Sequence, residues 1–547
     1  MNDRRTGVMY VALSVAAAVV VTWPLVTVFT TKICGDMGDP FQTLWGMRGI
    51  HDALLSFRNP FFTDRVFHPF GASLIFERLD VPGVLLTLPL WGIVPDVAIY
   101  NTAILLALSV SVYGMFCLMR ELTGDALVSF LTGVLFTATP YQFAHLQGHL
   151  HLVSMGWLPL YLIYVLRLVR GTASVRDGVL GGVFLAIASL TSWYHLVYAA
   201  MFTPILVAYA AVAQPTALLS RRSLRVALVL AATFLVIAGP LLGAMLMARE
   251  QEEITGAHDA KTFSADLYSF VYPNAAQRWS QDYGAHFRRW SGNSTENANY
   301  VGLAVLALAI LGATTSPYAR TFLVIAVVGA LLSLGPFLHL DGRVTSITMP
   351  YYYLERVLPQ LDFMGVPVRF GYMMYLGLAV AAGFGLMRVR ALAGARSAAG
   401  IAAVLVAFSL AMYEYRPRPL ITWAYPVPAP MRAWANDPGK WAVLDVWDFY
   451  RPIWHATIHR KPMIGGYLSR VPKRLEDWTD HQPVIHAIQQ YSTFSGLGQA
   501  AGRAALRDLG VRYVITRETP NLCVERELAL PLVYGGEDVR IYEVPAA

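Results

Sequence analysis

VMYVALSVAAAVVVTWPLVTVF, residues Val8 to Phe29, runs without one charged side chain. At about 1.5 Å per residue, a helix of that length crosses a hydrocarbon core of roughly 30 Å. Arg4 and Arg5 precede it, as they would in a signal peptide, but no small-residue cleavage pattern follows, so the stretch is expected to remain as a first span. The composition of the 547 residues agrees: 56% are hydrophobic and 14% charged, against about 25% charged in an ordinary soluble chain.

Further apolar stretches run Val97–Met119, Ala126–Phe143, Leu150–Leu166, Val179–Leu190, Leu196–Ala213, Val226–Met247, Tyr300–Leu311, Thr321–Leu338, Phe370–Met387 and Ala398–Met412. With the first, they predict an α-helical polytopic membrane protein of about eleven transmembrane helices. Val81–Val94 is apolar but short and bounded by prolines, which suits a re-entrant or interfacial helix.

Arginine sets the expected orientation. Alternate short loops carry Arg120, then Arg167, Arg170 and Arg176, then Arg221, Arg222 and Arg225, then Arg320, then Arg388, Arg390 and Arg396. The loops between them, His145 to His151 and Thr191 to His195, carry neither Lys nor Arg. The bias of basic residues towards the cytoplasm then puts the N-terminus inside a cell membrane. An odd number of spans puts the C-terminus outside. Two long segments, 31–80 and 248–299, fall on the outer side of the membrane part, residues 1–413. A proline-rich linker, 414–430, leads to an extracytoplasmic α/β domain, 431–547, with strands expected at Trp441–Val446, Arg512–Thr516 and Arg540–Val544.

The net charge of +7 invites thoughts of nucleic acid, yet its arginines lie dispersed in short loops without interleaved aromatics, and no nucleic-acid partner is expected. Three cysteines make no disulfide framework; Cys34 and Cys523 could pair only across nearly the whole chain. No P-loop, dinucleotide fingerprint, HExxH or GxSxG occurs, so chemistry must come from polar groups at the membrane surface.

The outer segment after the first span opens CGDMGDPFQTLW, Cys34 to Trp45. Asp36 and Asp39 could each act as a general base towards an acceptor hydroxyl, or hold a metal. Asp39, Pro40 and Gln42 are equally what an N-cap, a first-turn proline and a capping-box glutamine look like, and both roles stay open. His145, His149 and His151 gather where a span meets the outside. The first two are four apart and could bind a metal or a phosphate, although no acidic or cysteine partner lies at zinc spacing. Tyr194 and His195 sit in the next outer loop, where an interfacial aromatic belt is the ordinary explanation. Arg249, Glu250 and Glu296 belong to the second long segment and suit a sugar and anion site, against the plainer alternative of a solvated loop. Arg369, in Gly365-Val-Pro-Val-Arg-Phe370, starts an apolar span at headgroup depth, where it would hold an anionic headgroup or simply snorkel.

These motifs, in order, resemble the GT-C superfamily of polytopic glycosyltransferases. The likeness lies in Gly38-Asp39-Pro40 with Trp45, Phe67-His-Pro-Phe-Gly-Ala72, Leu88-Pro-Leu90, Gly148-His-Leu-His151, Ser264-Ala-Asp-Leu267, Glu296 with Tyr300-Val-Gly302, and Val366-Pro-Val-Arg-Phe370. It covers most of the chain, including the appended C-terminal domain. The resemblance implies an inverting transfer of a sugar from a polyprenyl-phosphate-linked donor to a glycan, lipid or protein acceptor, with Asp39 as the catalytic residue. A second acidic residue is expected nearby; Glu77 is the nearest, and no adjacent acidic dyad is present. Dependence on a divalent metal varies within the superfamily and is left open. A lipid or glycolipid flippase is the alternative, but the chain has no half-length repeat and its polar residues concentrate in outer loops rather than mid-span.

Overall fold

Backbone polar groups in lipid must satisfy one another, and helix is the local way to do so. In the computed structural model, which describes residues 2–546 apart from 78–79, 257, 294, 359–360, 362–363, 447–449 and 491–497, helix covers each of the eleven apolar stretches. Five helical segments among the described residues are long and apolar enough to cross a membrane by themselves: Asp96–Thr123, Leu150–Val169, Trp193–Ala213, Arg221–Gln251 and Pro367–Leu392. The others are shorter, including Gly7–Val21, Ala126–Thr137, Leu303–Ala313, Pro317–Ser333 and Ala398–Glu414.

Several expected spans end early, for local reasons. The first helix stops at Val21, three residues before Pro24. The stretch Ala126–Phe143 is not one helix: it ends at Thr137, and Thr139 caps a separate short helix, Pro140–His145, that carries His145 at its last position. Val81–Thr87 forms the short interfacial helix, with Asp80 at its N-cap accepting from the Gly83 N–H at 3.1 Å.

The helix Gly371–Leu392 is the axis of the membrane part. It is buried from Gly371 to Leu386 and packs on Leu303–Ala313, Pro317–Ser333, Ala126–Thr137 and Ala398–Glu414. Arg369 stands just before its N-terminal end, so its position is fixed by a helix that is buried over most of its length. By contrast Arg221–Gln251 leaves Leu228, Leu235 and Val236 exposed, a surface that suits lipid.

Beyond the linker, strands Leu532–Gly536, Val539–Glu543, Val511–Arg517 and Ala442–Asp445 form a four-stranded sheet in that order, the last pair parallel and the others antiparallel. This unit has a core of its own, around Leu444, Ile485, Val514 and Tyr542. It also shares one with the segment 31–80, where Trp45, Val66 and Phe67 meet Ile453, Met463, Leu468 and Leu475. Two short strand pairs stitch the parts together: Ile33–Cys34 with Thr422–Trp423, and Ile254–Thr255 with Val471–Pro472. The linker is therefore docked along its length rather than spanning open solvent. Cys34 and Cys523 are both free, each buried in a different core.

Candidate active site

The helix Asp39–Leu55 is capped by Gly38, with no side-chain cap bond, and Asp39 occupies its first position. The capping role that the local sequence suggested is thus absent. The carboxylate turns instead to the histidine loop, where His149 Nε2 lies 3.0 Å from Asp39 Oδ2. Gln42, expected to reach back to the helix start, donates to Glu77 Oε2 at 3.0 Å. Tertiary partners outcompete the capping box because the helix starts inside the protein, within reach of stronger hydrogen-bonding groups. Gly148 makes the approach feasible: a Cβ there would lie 2.8 Å from the Asp39 Cβ.

His145 and His149 do not share one helix, since a turn separates Pro140–His145 from Leu150–Val153, yet their Nδ1 atoms are 2.9 Å apart. One must donate and the other accept. If the His149 Nε2–H faces the Asp39 carboxylate, its Nδ1 accepts from the His145 Nδ1–H. Burial pushes the His145 imidazole well below its ordinary pKa and keeps it neutral, in accord with that assignment.

Glu296 is buried behind His149, whose Nδ1 is 4.0 Å from Glu296 Oε1. Arg369 donates to Glu296 through Nε, at 3.1 and 3.2 Å, and through Nη2. Burial alone would raise the Glu296 carboxyl; the Arg369 guanidinium, with His145 and His149, overrides it and holds the group below the usual carboxylate range. Tyr194 lies beneath the guanidinium, 4.9 Å from its centre, and its hydroxyl is anchored on the Met364 carbonyl at 2.9 Å.

Two cavities meet at Arg369. The larger, about 630 Å³, is lined by polar and apolar surface in equal measure and takes in Asp39, His149, Glu296 and Arg369 from the membrane part, with Tyr450, Tyr467 and Ser469 from the C-terminal unit opposite. The smaller, about 140 Å³, is mostly apolar, with Trp193, Met245 and Met364 among its walls, and reaches His151, Arg369 and Arg470.

The structure thus brings together Asp39, His149, Glu296, Arg369, Tyr194 and His151. It moves others away. Arg249 and Glu250 are exposed on the last turn of Arg221–Gln251, which extends beyond the apolar run, and neither lines either of these two cavities. His195 is buried against Tyr372 and Tyr198, with Nδ1 3.2 Å from the Ala188 carbonyl, and lines neither cavity. Asp36 accepts from the Gly38 N–H at 2.9 Å; burial raises its carboxyl, and the nearby Asp39 charge adds to the rise. Glu77 lines the small cavity, but its oxygens accept from the Ser469 and Arg470 N–H groups and from Gln42, so it ties the segment 31–80 to the C-terminal unit. Residues 465–471 were not anticipated. Their one signal is the pair Gly465-Gly466, both at positive φ, the latter packed so closely that a Cβ would lie 2.8 Å from Val66.

The ligand atoms of His145, His149 and Glu296 lie within 4.8 Å of one another, a nitrogen and oxygen set suited to a divalent cation. As placed, the set is closed on itself: the two imidazoles bond each other and both Glu296 oxygens accept from Arg369. A cation bound there would have to displace a guanidinium.

Residues 10–415 match a family described as "Domain of unknown function (DUF6311)". A comparison with curated proteins finds no match. In structure the chain is similar to the arabinofuranosyltransferase AftD from Mycobacteria, with a TM-score of 0.57 at 16% identity, covering 100% of this chain and 40% of that one. The chain therefore spans less than half the length of that protein. The oligosaccharyltransferase of Archaeoglobus fulgidus tethered with an acceptor peptide gives 0.49 at 14% identity over 94% and 69% of the two chains. ArnT from Cupriavidus metallidurans bound to undecaprenyl phosphate gives 0.45 at 12% over 99% and 98%. The likeness to AftD establishes a shared fold.

Proposed function

The chain belongs to the DUF6311 family, and on its geometry we propose that it is a membrane glycosyltransferase that moves a sugar from a polyprenyl-phosphate-linked donor to an acceptor on the outer face of the membrane. The observation that carries this reading is the meeting of the two cavities at Arg369: a mostly apolar one suited to a lipid stem, and a larger one holding Asp39.

An acceptor hydroxyl in the larger cavity gives its proton to Asp39 as its oxygen attacks the anomeric carbon. A carbon–oxygen bond forms there while the bond to the lipid phosphate breaks, and the phosphate leaves with the electron pair. A single displacement inverts the anomeric centre. Fixed N–H donors at the leaving oxygen stabilise the charge that develops on it, and Arg369 lies where the cavities join. The His145–His149 pair orients the Asp39 carboxylate and holds its second oxygen. The activated donor supplies the driving force, so no nucleotide site is needed.

Radiolabelled sugar transfer by the purified chain in detergent, from a panel of polyprenyl-phosphate sugars, tests the reaction. Transfer with release of polyprenyl phosphate is expected. Movement of intact lipid-linked sugar across vesicles, with no transfer, would turn the assignment to a flippase. The orientation, N-terminus inside and residues 431–547 outside, is supported by the arginine-bearing loops. A cysteine placed at exposed Ala433 should be labelled from outside in intact cells; labelling only after lysis would reverse it.

A further inference from the structure

The end of the helix bundle away from Arg369 holds a groove that the proposed reaction does not use. The helix Trp193–Ala213 starts beside Arg369, where Tyr194 lies under the guanidinium and the Tyr198 hydroxyl donates to the Arg369 carbonyl at 2.7 Å. Tyr209 comes later in the same helix, roughly 22 Å from Tyr194 at about 1.5 Å per residue. There this helix and its neighbour Pro317–Ser333 flank a groove of about 520 Å³. Ile205, Ala208, Pro317 and Val324 make the wall apolar, Tyr209 and Thr321 add hydroxyls, and Arg320 brings the charge. Val324 and Val327 are exposed, so the groove opens towards lipid.

Several arginines at this end are satisfied within the protein. Arg167 meets Glu121 and Asp177 at 2.7 and 2.9 Å, Arg390 meets Asp125, and Arg170 donates to the Tyr318 hydroxyl at 2.8 Å with Glu121 beside it. Arg320 is different. It is exposed, and among the described residues its guanidinium has no hydrogen bond or ion pair. It also closes the first turn of Pro317–Ser333, a turn without an acidic residue. A cation there faces the partial positive charge of the helix N-terminus, which is unfavourable unless an anion shares the place. Helix end and guanidinium together favour an anion, and the apolar wall favours one that carries hydrocarbon. Tyr209 is held against Tyr318, with ring centroids 5.5 Å apart, so the wall beside Arg320 is fixed.

We propose that this groove is a binding site for an anionic phospholipid, whose phosphate pairs with Arg320 at the helix terminus while an acyl chain lies between Ile205 and Val324. Basic pockets between transmembrane helices bind lipid headgroups in this way. With the orientation proposed above, the lipid belongs to the cytoplasmic leaflet. The polyprenyl donor is a separate ligand, with its phosphate at the other end of the bundle, and the site does not depend on the transfer reaction.

The test is native mass spectrometry on the full chain released from nanodiscs of phosphatidylcholine mixed with phosphatidylglycerol, as wild type, Arg320→Gln, Arg320→Lys and Ala208→Trp. Wild type should retain phosphatidylglycerol in preference to phosphatidylcholine. Arg320→Gln should weaken that binding about tenfold and Arg320→Lys less, because Lys keeps the charge but loses the fork. Arg320 has no protein partner to lose, so the Gln variant should fold as wild type does. Ala208→Trp keeps the charge but fills the groove from an exposed position, and should weaken binding comparably. Added phosphatidylglycerol should raise the melting temperature of wild type and not that of Arg320→Gln. Equal retention of the two lipids by wild type, or undiminished retention in Arg320→Gln, would overturn the proposal. So would undiminished retention in Ala208→Trp, because Arg320 would then only attract bulk headgroups. A dimer in place of the lipid adduct would make the occupant a second copy of the chain, against the proposal.

Discussion

The centre around Asp39 and the seam with the C-terminal unit are joined by different chemistry. At the centre, side chain meets side chain: Asp39 on His149, His149 on His145, Glu296 on Arg369. At the seam, backbone bonds join apolar packing: two strand pairs, the Phe67 N–H on the Gly465 carbonyl at 2.7 Å and the Glu77 carboxylate on main-chain N–H groups run beside the core shared by Trp45, Val66, Ile453 and Met463 and the exposed pair of Lys473 with Glu253. Protonation states are set where side chains meet; the seam only has to hold a wall in place. Losses at the centre should therefore be steep and specific, and losses at the seam shallower and spread over binding.

The largest effect is expected from Glu296→Gln. It leaves the Arg369 guanidinium buried without its counter-charge, at a cost of about 3–5 kcal/mol, read as a drop in the thermal midpoint. A change near zero would mean that the pair is solvated and the centre looser than described. Asp39→Asn comes next: transfer should fall by about 10² or more with little loss of stability, because Gly38 and not Asp39 caps the helix. Near-normal turnover would remove Asp39 from the chemistry and shift attention to Asp36.

At the seam, Glu77→Ala removes the acceptor for two main-chain N–H groups and should cost about 1–3 kcal/mol, with faster proteolysis near Ser469 and a raised donor KM. A fall confined to kcat would place Glu77 at the centre after all. The smallest effect concerns pH. Burial raises the Asp80 carboxyl to about 6 against the donors Gly83 and Ser154, so the folded state holds the proton more tightly than the unfolded chain. Stability should therefore decline as pH rises from about 4 to about 6, and Asp80→Asn should flatten that decline in melting curves taken across the range.

Much of the centre was legible because titratable groups at a membrane surface are rare. Asp39, His149, Glu296 and Arg369 stood out as polar residues beside apolar stretches, and the order of their motifs pointed to the fold. Arg249 and Glu250 misled because the helix Arg221–Gln251 outruns its apolar segment and carries them into solvent. Asp39 misled in the other direction: its local sequence is indistinguishable from a capping box, and only a partner more than a hundred residues later decides. The seam left almost no trace. Backbone pairing tolerates many side chains, so Ile254-Thr255 and Val471-Pro472 carry no mark of one another. Alternation of apolar residues did indicate strands near 442, 512 and 540, but nothing in it said what the loops between them would touch.

The wall that includes Tyr450, Tyr467 and Ser469 has a consequence for how the protein is made. The ribosome synthesises the membrane helices first, and domains generally fold as they emerge. Residues 465–471 follow the membrane helices in the chain, so the large cavity lacks one side until they have been made. Until then Asp39 and Arg369 have no wall opposite them. If the proposed function holds, a chain stalled or clipped before residue 465 would carry an incomplete site and no transfer activity.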